Sequence, residues 1–316
     1  MPDVTQTQTE AVVDATAAPS AADGHKEQGK PRSLWGDAWF DLRHRPMFWI
    51  SSILLLILLV IAAFPGLFTG ADPRDGDLTN HFLTKPELGH FFQADWFGYD
   101  GQGRSIYARV VYGTRASIMV GVGVTAAVTL VGGLLGMLAG YFGGWLDSVI
   151  SRVTDIFFGI PFLLGAMVVL NSFTDRKVYV VILALAFLGW TSICRVMRAS
   201  VITAKQADYV TAARALGAGT PRILFRHVLP NALAPTIVVA TIALGGYISA
   251  EATLSFLGLG LGEPTISWGI DIAQGSQDIR DNPHALLFPA GMLSLTVFAF
   301  IMLGDAVRDA LDPKLR

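Results

Sequence analysis

The chain has 316 residues, of which 15% are charged and 52% hydrophobic, with a mean hydropathy of +0.50. A soluble domain carries about 25% charged residues, so the deficit excludes a disordered protein, disfavours an ordinary soluble enzyme and leaves a bundle of membrane spans. The net charge of −2 offers no field for nucleic acid, and the single cysteine, Cys194, can form neither an intrachain disulfide nor a zinc site.

Residues 1–30 are rich in Ala, Thr, Gln, Asp and Pro without periodicity and read as a disordered cytoplasmic tail, lacking the basic and apolar regions of a signal peptide. Residues 31–45 come next. Leu34, Ala38 and Leu42 repeat at i+4 beside Trp35 and Trp39, which predicts a short amphipathic helix lying in the membrane interface.

A helix crossing the bilayer core needs about 20 predominantly apolar residues. Six runs meet this: residues 46–71, then about 115–143, 155–173, 178–197, 230–256 and 285–306. Asp155, at the start of the third, reads as an N-cap. Residues 72–104 and 257–284 connect spans on one side. The first of these is aromatic, with Phe82, Phe91, Phe92, Trp96, Phe97 and Tyr99. A connection of that length has a role: it either meets an external partner over the outer mouth or folds as a cap on its own spans.

Lysine and arginine mark the cytoplasmic side. Residues 195–226 carry Arg195, Arg198, Lys205, Arg214, Arg222 and Arg226 against Asp208 alone. Residues 72–102 carry Arg74 and Lys85 against six acids. Six spans place both termini with the basic 195–226 segment, in the cytoplasm.

Gly132, Gly136, Gly140 and Gly144 are spaced four apart in the second span. On a helix they form one stripe that lets a neighbouring backbone approach closely. Glu251 is the one acid inside a hydrophobic span. It lies about 22 residues, ~33 Å, from the cytoplasmic start of its span, near the outer surface. There it is a candidate for an outer gate or a structural hydrogen-bond acceptor.

The segment 205–229, within a core domain 105–316, is the most informative. Asp208, Tyr209, Thr211, Ala212, Ala213, Arg214 and Leu216 form a short helix of good helix formers. Gly217 and Gly219 stop it, and Gly217 is expected at positive φ. Pro221 opens a second helix carrying Arg222, Arg226 and His227, and Pro230 marks the start of the fifth span. A helix, a sharp turn and a helix just outside the bilayer make a docking shape, or else a solvated loop of helix-forming residues.

Thr211-Ala212-Ala213, Gly217 and His227-Val228-Leu229-Pro230 resemble the EAA loop of bacterial ATP-binding-cassette importer permeases, with Thr211 where that pattern has Glu and His227 where Ile is common. Trp96–Arg104, Tyr112-Gly113-Thr114-Arg115, Glu251–Gly260, Ser267-Trp268-Gly269 and Gly304–Pro313 are similar to the second, "C"-type, permease subunit of the dipeptide/oligopeptide/nickel group. The resemblance covers about residues 35–316. It implies an all-α membrane protein, a six-span MetI-like bundle with a cytoplasmic coupling helix-turn-helix, in the bacterial inner membrane.

It further implies a paralogous "B"-type permease, two ATPase subunits (or one fused) and an extracytoplasmic solute-binding protein. The coupling segment would seat in an ATPase groove, and di- or oligopeptides, or alternatively nickel chelates, glutathione or haem, would enter the cytoplasm by alternating access. ATP and Mg²⁺ would sit in the partner subunits. This chain has no phosphate loop and no cofactor or metal site of its own. A membrane-embedded enzyme is the rival from another class, but HExxH and GxSxG are both lacking. A passive channel would leave the 208–230 segment without a purpose.

Overall fold

The computed structural model describes residues 34–311. The 1–30 tail therefore lies outside the described residues, as do the side chains of Leu34, Trp35 and Ala38 in the interfacial helix. The described residues are helical, without strands beyond two isolated bridges, Gly76 to Arg104 and Tyr99 to Ser105.

Short helix α1 (Leu34–Leu42) packs on the last helix and leads into α2 (Pro46–Ala63), which starts with proline at its first turn. Arg45 and Asp309 form an ion pair at 2.7 Å beside this junction. Only Ser51, Leu55, Leu58 and Ala62 of α2 are buried, a stripe at three- and four-residue spacing. Its remaining faces are apolar and exposed, as expected of a helix bathed in lipid.

Helix α3 (Ile106–Phe142) begins well before residue 115, because Ser105 caps it: the Ser105 hydroxyl accepts from the Ala108 N–H. At 37 residues it is about 55 Å long and outreaches the hydrocarbon core at one end. It stops where Gly143 (φ +67°) and Gly144 (φ +58°) both enter conformations that L-residues avoid.

Gly132, Gly136 and Gly140 seat α3 against α6 (Val178–Lys205). A Cβ on Gly132 or Gly136 would overlap the carbonyl oxygen of Trp190 or Cys194, and one on Gly140 would stand 2.7 Å from the Arg198 oxygen. Contact advances four residues on each helix per step, so the two helices run parallel with backbones touching. Gly144 is not part of this stripe: it lies beyond the helix end, and a Cβ there would meet nothing within 4 Å.

The run expected as one span at 155–173 is two helices, α4 (Gly144–Phe158) and α5 (Phe162–Asn171), bent by 85°. Gly159 and Pro161 break it, since proline has no N–H to continue the ladder. Asp155 is consequently not an N-cap. It sits near the end of α4, paired with Arg195 at 2.8 Å.

Helix α7 (Asp208–Ala215) precedes α8 (Thr220–Phe256), a 37-residue helix widened between Ile223 and Val228 into a π turn. The Leu229 N–H there reaches back five residues to the Leu224 carbonyl. Pro230 follows directly, cannot donate to the preceding turn and crowds its carbonyls. Helices α9 (Trp268–Gln277) and α10 (His284–Leu311) complete the chain. Among the described residues five helices, α2, α3, α6, α8 and α10, are long and apolar enough to cross a membrane, and the α4–α5 pair makes a sixth if counted as one broken span. Helices α3, α6 and α8 pack on one another at the centre.

Gly136→Leu should force these backbones apart, at a cost of about 1–3 kcal/mol or more. Gly291→Leu, on a part of α10 with open space around it, should cost little. Thermal midpoints of the two variants in detergent check this, and equal midpoints would mean the seam is not close-packed.

Candidate functional site

At one end of the bundle the chain leaves α6, makes α7, turns and enters α8. The turn closes α7 by two hydrogen bonds: the Gly217 N–H donates to the Arg214 carbonyl and the Ala218 N–H to the Ala213 carbonyl, both at 3.0 Å. Gly217 takes φ +82°, the left-handed C-terminal position of a Schellman turn. The sequence expectation for this glycine is met.

One residue of α7 pins it. Val210 is fully buried in one apolar cluster with Ile223, Leu224 and Val228 of α8, Met197 and Val201 of α6, and Met137 and Tyr141 of α3. Lys205 donates to the Tyr141 carbonyl at 2.5 Å, where a cation meets the C-terminal carbonyls of α3. Asn231 donates to the His227 carbonyl at 2.7 Å, next to the turn disturbed by Pro230.

With the inner face anchored, the outer face is bare. Asp208, Tyr209, Thr211, Ala212, Arg214, Leu216, Gly217, Arg222, Phe225 and Arg226 are exposed, while Ala213, His227 and Pro230 are half-buried. Leu216, at 88% exposure, and Phe225, at 60%, are large apolar side chains offered to a partner. Partial burial of its ring raises the Tyr209 phenol above its ordinary value.

Along the middle of α8 a cavity of about 890 Å³ opens between α4, α5, α6 and α8. Phe157, Phe162, Leu188 and Ile242 make its apolar walls; Thr191, Ser192, Tyr247, Ser249 and Thr253 supply hydroxyls. No side chain charged at neutral pH lines it. The sequence could not assemble this wall, whose members come from four helices.

Glu251 is placed differently from an outer gate. It is fully buried and does not line that cavity. Ser255 donates to its Oε1 at 2.8 Å and Ser117 to its Oε2 at 3.2 Å. The same hydroxyls accept from the Leu261 and Trp268 N–H groups at 3.0 and 3.4 Å. Glu251 therefore ties α8 to α3 and α9. Trp268, also fully buried, lies over Gly113 and donates through its ring nitrogen to the Val110 carbonyl at 3.0 Å.

Beside this knot a buried ion pair that sequence reasoning missed joins Arg109 of α3 to Asp271 of α9, with Nε to Oδ1 at 2.7 Å. Its partners stand 162 residues apart in the chain. Charges in apolar surroundings could flag each of them, but not the pairing.

The segment 72–104 folds onto this end as a cap. Tyr99 donates its N–H to the Thr84 carbonyl, Asn282 donates to the Tyr99 carbonyl at 2.9 Å, and Phe97 stacks on Phe288 with centroids 3.9 Å apart. Phe82, Phe91 and Phe92 remain exposed.

Residues 132–316 match the family described as "Binding-protein-dependent transport system inner membrane component", and residues 33–86 match the "N-terminal TM domain of oligopeptide transport permease C". Similar proteins include the oligopeptide transport system permease protein OppC of Bacillus subtilis (strain 168), 36% identical over 95% of this chain and 96% of its own. The dipeptide transport system permease protein DppC of Alkalihalophilus pseudofirmus is 36% identical over 90% of this chain and 91% of its own. The glutathione transport system permease protein GsiD of Escherichia coli O6:K15:H31 is 35% identical over 90% and 92%.

The chain belongs to the family of binding-protein-dependent transport system inner membrane components. It is a permease subunit of an ATP-binding-cassette importer, and ATP is hydrolysed in partner subunits. A permease of this family works with a partner permease, ATPases and a binding protein.

In this permease Glu251→Leu should strand two buried serine hydroxyls, at about 1–3 kcal/mol for each group left unpaired. Glu251→Gln keeps an acceptor and should cost less. The thermal midpoint of the purified protein ranks them; the reverse order would remove the acceptor role.

Proposed function

We propose that this permease carries di- or oligopeptides into the cytoplasm, with α7 and the start of α8 as its docking element for one of two ATPase subunits. The observation that carries this reading is the bare outer face of α7 at the foot of a single unbroken helix, α8, whose middle walls the cavity. A shift of α7 would be passed along α8 to that wall, which is the rigid-body route to alternating access. ATP and Mg²⁺ would bind in the ATPases, and a "B"-type permease would supply the opposite wall.

The cargo reading draws on the relatives' names, oligopeptide and dipeptide permeases among them. It also fits the cavity chemistry. Hydroxyls without fixed charge can bond peptide amides while tolerating side chains of either sign. Glutathione, the cargo in another relative's name, is a peptide of the same size class.

The charge asymmetry supports an orientation with α7 and both termini in the cytoplasm and residues 72–104 outside. In a Cys194→Ser background, cysteines at the exposed positions Thr79 and Asp281 should react with an impermeant thiol reagent in whole cells, and one at Gly219 should stay silent. Labelling of Gly219 alone would reverse the orientation.

Gly217→Asp should strain the positive φ by roughly 1–2 kcal/mol and set a carboxylate in the docking face. Ala213→Asp adds the charge without the strain. Both variants should reach the membrane at parental levels, lose ATPase subunits on copurification and lose cargo-stimulated ATP hydrolysis. Parental docking and stimulation in both would show that ATPases grip elsewhere.

A further inference from the structure

We infer that one flank of the α3–α6 seam holds an anionic phospholipid of the leaflet nearer the 72–104 cap, its phosphate on Arg115 and an acyl chain in the apolar pocket beyond. Arg115 is the starting observation. Helix α3 carries two arginines, and Arg109 is spent on Asp271. Arg115 is exposed and, among the described residues, has no hydrogen-bond or ion-pair partner. A guanidinium on an apolar helix demands an anion or water at its head.

Its surroundings are shaped for an anion. A cavity of about 610 Å³ is lined by Arg115, Arg74, Tyr112, Asp72 and Thr265. Asp72 already accepts the Arg74 N–H at 2.9 Å, and the Arg74 guanidinium donates to the Pro264 carbonyl at 3.2 Å. Two guanidinium groups against one carboxylate leave the cavity with a net positive charge.

A second cavity, about 540 Å³ and almost wholly apolar, lies further along the same helices. Ala127, Val131, Val169, Phe173, Leu183 and Phe187 line it. One row of α3 lines both, with Ile182 of α6 seated over Gly123 between them. Contact between α3 and α6 advances by four residues at Gly132, Gly136 and Gly140, so every i+4 row of α3 runs alongside that seam. Arg115, Met119, Gly123, Ala127 and Val131 are such a row. Helix α6 agrees: Val178 lines the upper cavity, and Tyr179 and Val180 the lower.

From Arg115 to Val131 the rise is about 24 Å at 1.5 Å per residue, close to one leaflet with its headgroup, half of about 40–45 Å. A protein carboxylate or free phosphate would satisfy Arg115 and leave the apolar cavity empty. A phosphate joined to acyl chains fills both, and the positive charge selects an anionic lipid.

The test uses the intact complex with its partner permease and ATPases, reconstituted in vesicles of equal parts phosphatidylglycerol and phosphatidylcholine, extracted in mild detergent and weighed by native mass spectrometry. The parent should retain phosphatidylglycerol in preference. Arg115→Gln should lower that retention about tenfold. Val131→Trp fills the lower cavity from an exposed position, keeps the charge, and should lower it as well. Equal retention by the parent and both variants would overturn the site. So would displacement of the lipid by millimolar inorganic phosphate, or loss of the partner permease from Arg115→Gln with lipid retention unchanged. The last two outcomes would assign Arg115 to a free anion or to a subunit carboxylate.

Discussion

The backbone contact between α3 and α6 is the constraint on which the rest of the bundle rests. In a bilayer the lipid tails are as apolar as leucine, so burying side chains does not by itself drive helices together. What remains is close van der Waals contact, and three glycines bring whole turns of backbone against the carbonyls of Trp190, Cys194 and Arg198. Helix α8 packs across this pair through side chains seated on glycines, with Ile248 over Gly121 and Tyr247 over Gly189. The parallel course of α3 and α6 also decides which side chains flank the seam, and so sets Arg115 in one row with the α3 residues that line the apolar cavity.

Helix α8 links the two ends. It begins at the turn after α7, loosens once at the π turn before Pro230, and continues past the cavity to the knot at Glu251. A π turn lowers the local cost of bending while keeping backbone groups bonded. Val210 and its neighbours hold α7 to the start of α8 and to the ends of α3 and α6, so these four elements share one small core. In the proposed mechanism that core is where force from an ATPase enters the bundle.

The opposite end is held by polar groups. Glu251 with its serines, Trp268 with the Val110 carbonyl, and Arg109 with Asp271 join α3, α8, α9 and the cap. Breaking a buried pair by removing one partner costs about 3–5 kcal/mol, so this end behaves as a unit. The cavity wall lies between a polar knot and an apolar hinge core, and the only polar atoms it offers are hydroxyls and backbone groups.

Features that depend on a few neighbouring residues were legible in the sequence. Apolar length marked the spans, because the thickness of the bilayer sets it. Gly217 announced its positive φ, because that backbone conformation strains any residue that carries a β-carbon. The resemblance around residues 211–230 led to the same family as the relatives do. Features that depend on distant partners, or on where a helix breaks within an apolar run, were not legible. Gly144 shares the spacing of Gly132, Gly136 and Gly140, yet the helix ends before it. The 155–173 run reads as one span, and only the path around Gly159 and Pro161 shows it as two helices at 85°. Glu251 read by depth alone as either an outer gate or a structural acceptor, and its partners came into view only once Ser117, more than a hundred residues earlier, was brought beside it. Local chemistry determined which segments become helices and where they turn. Tertiary structure alone decided which faces meet, because helix pairing in lipid depends on close fit between surfaces far apart in the chain.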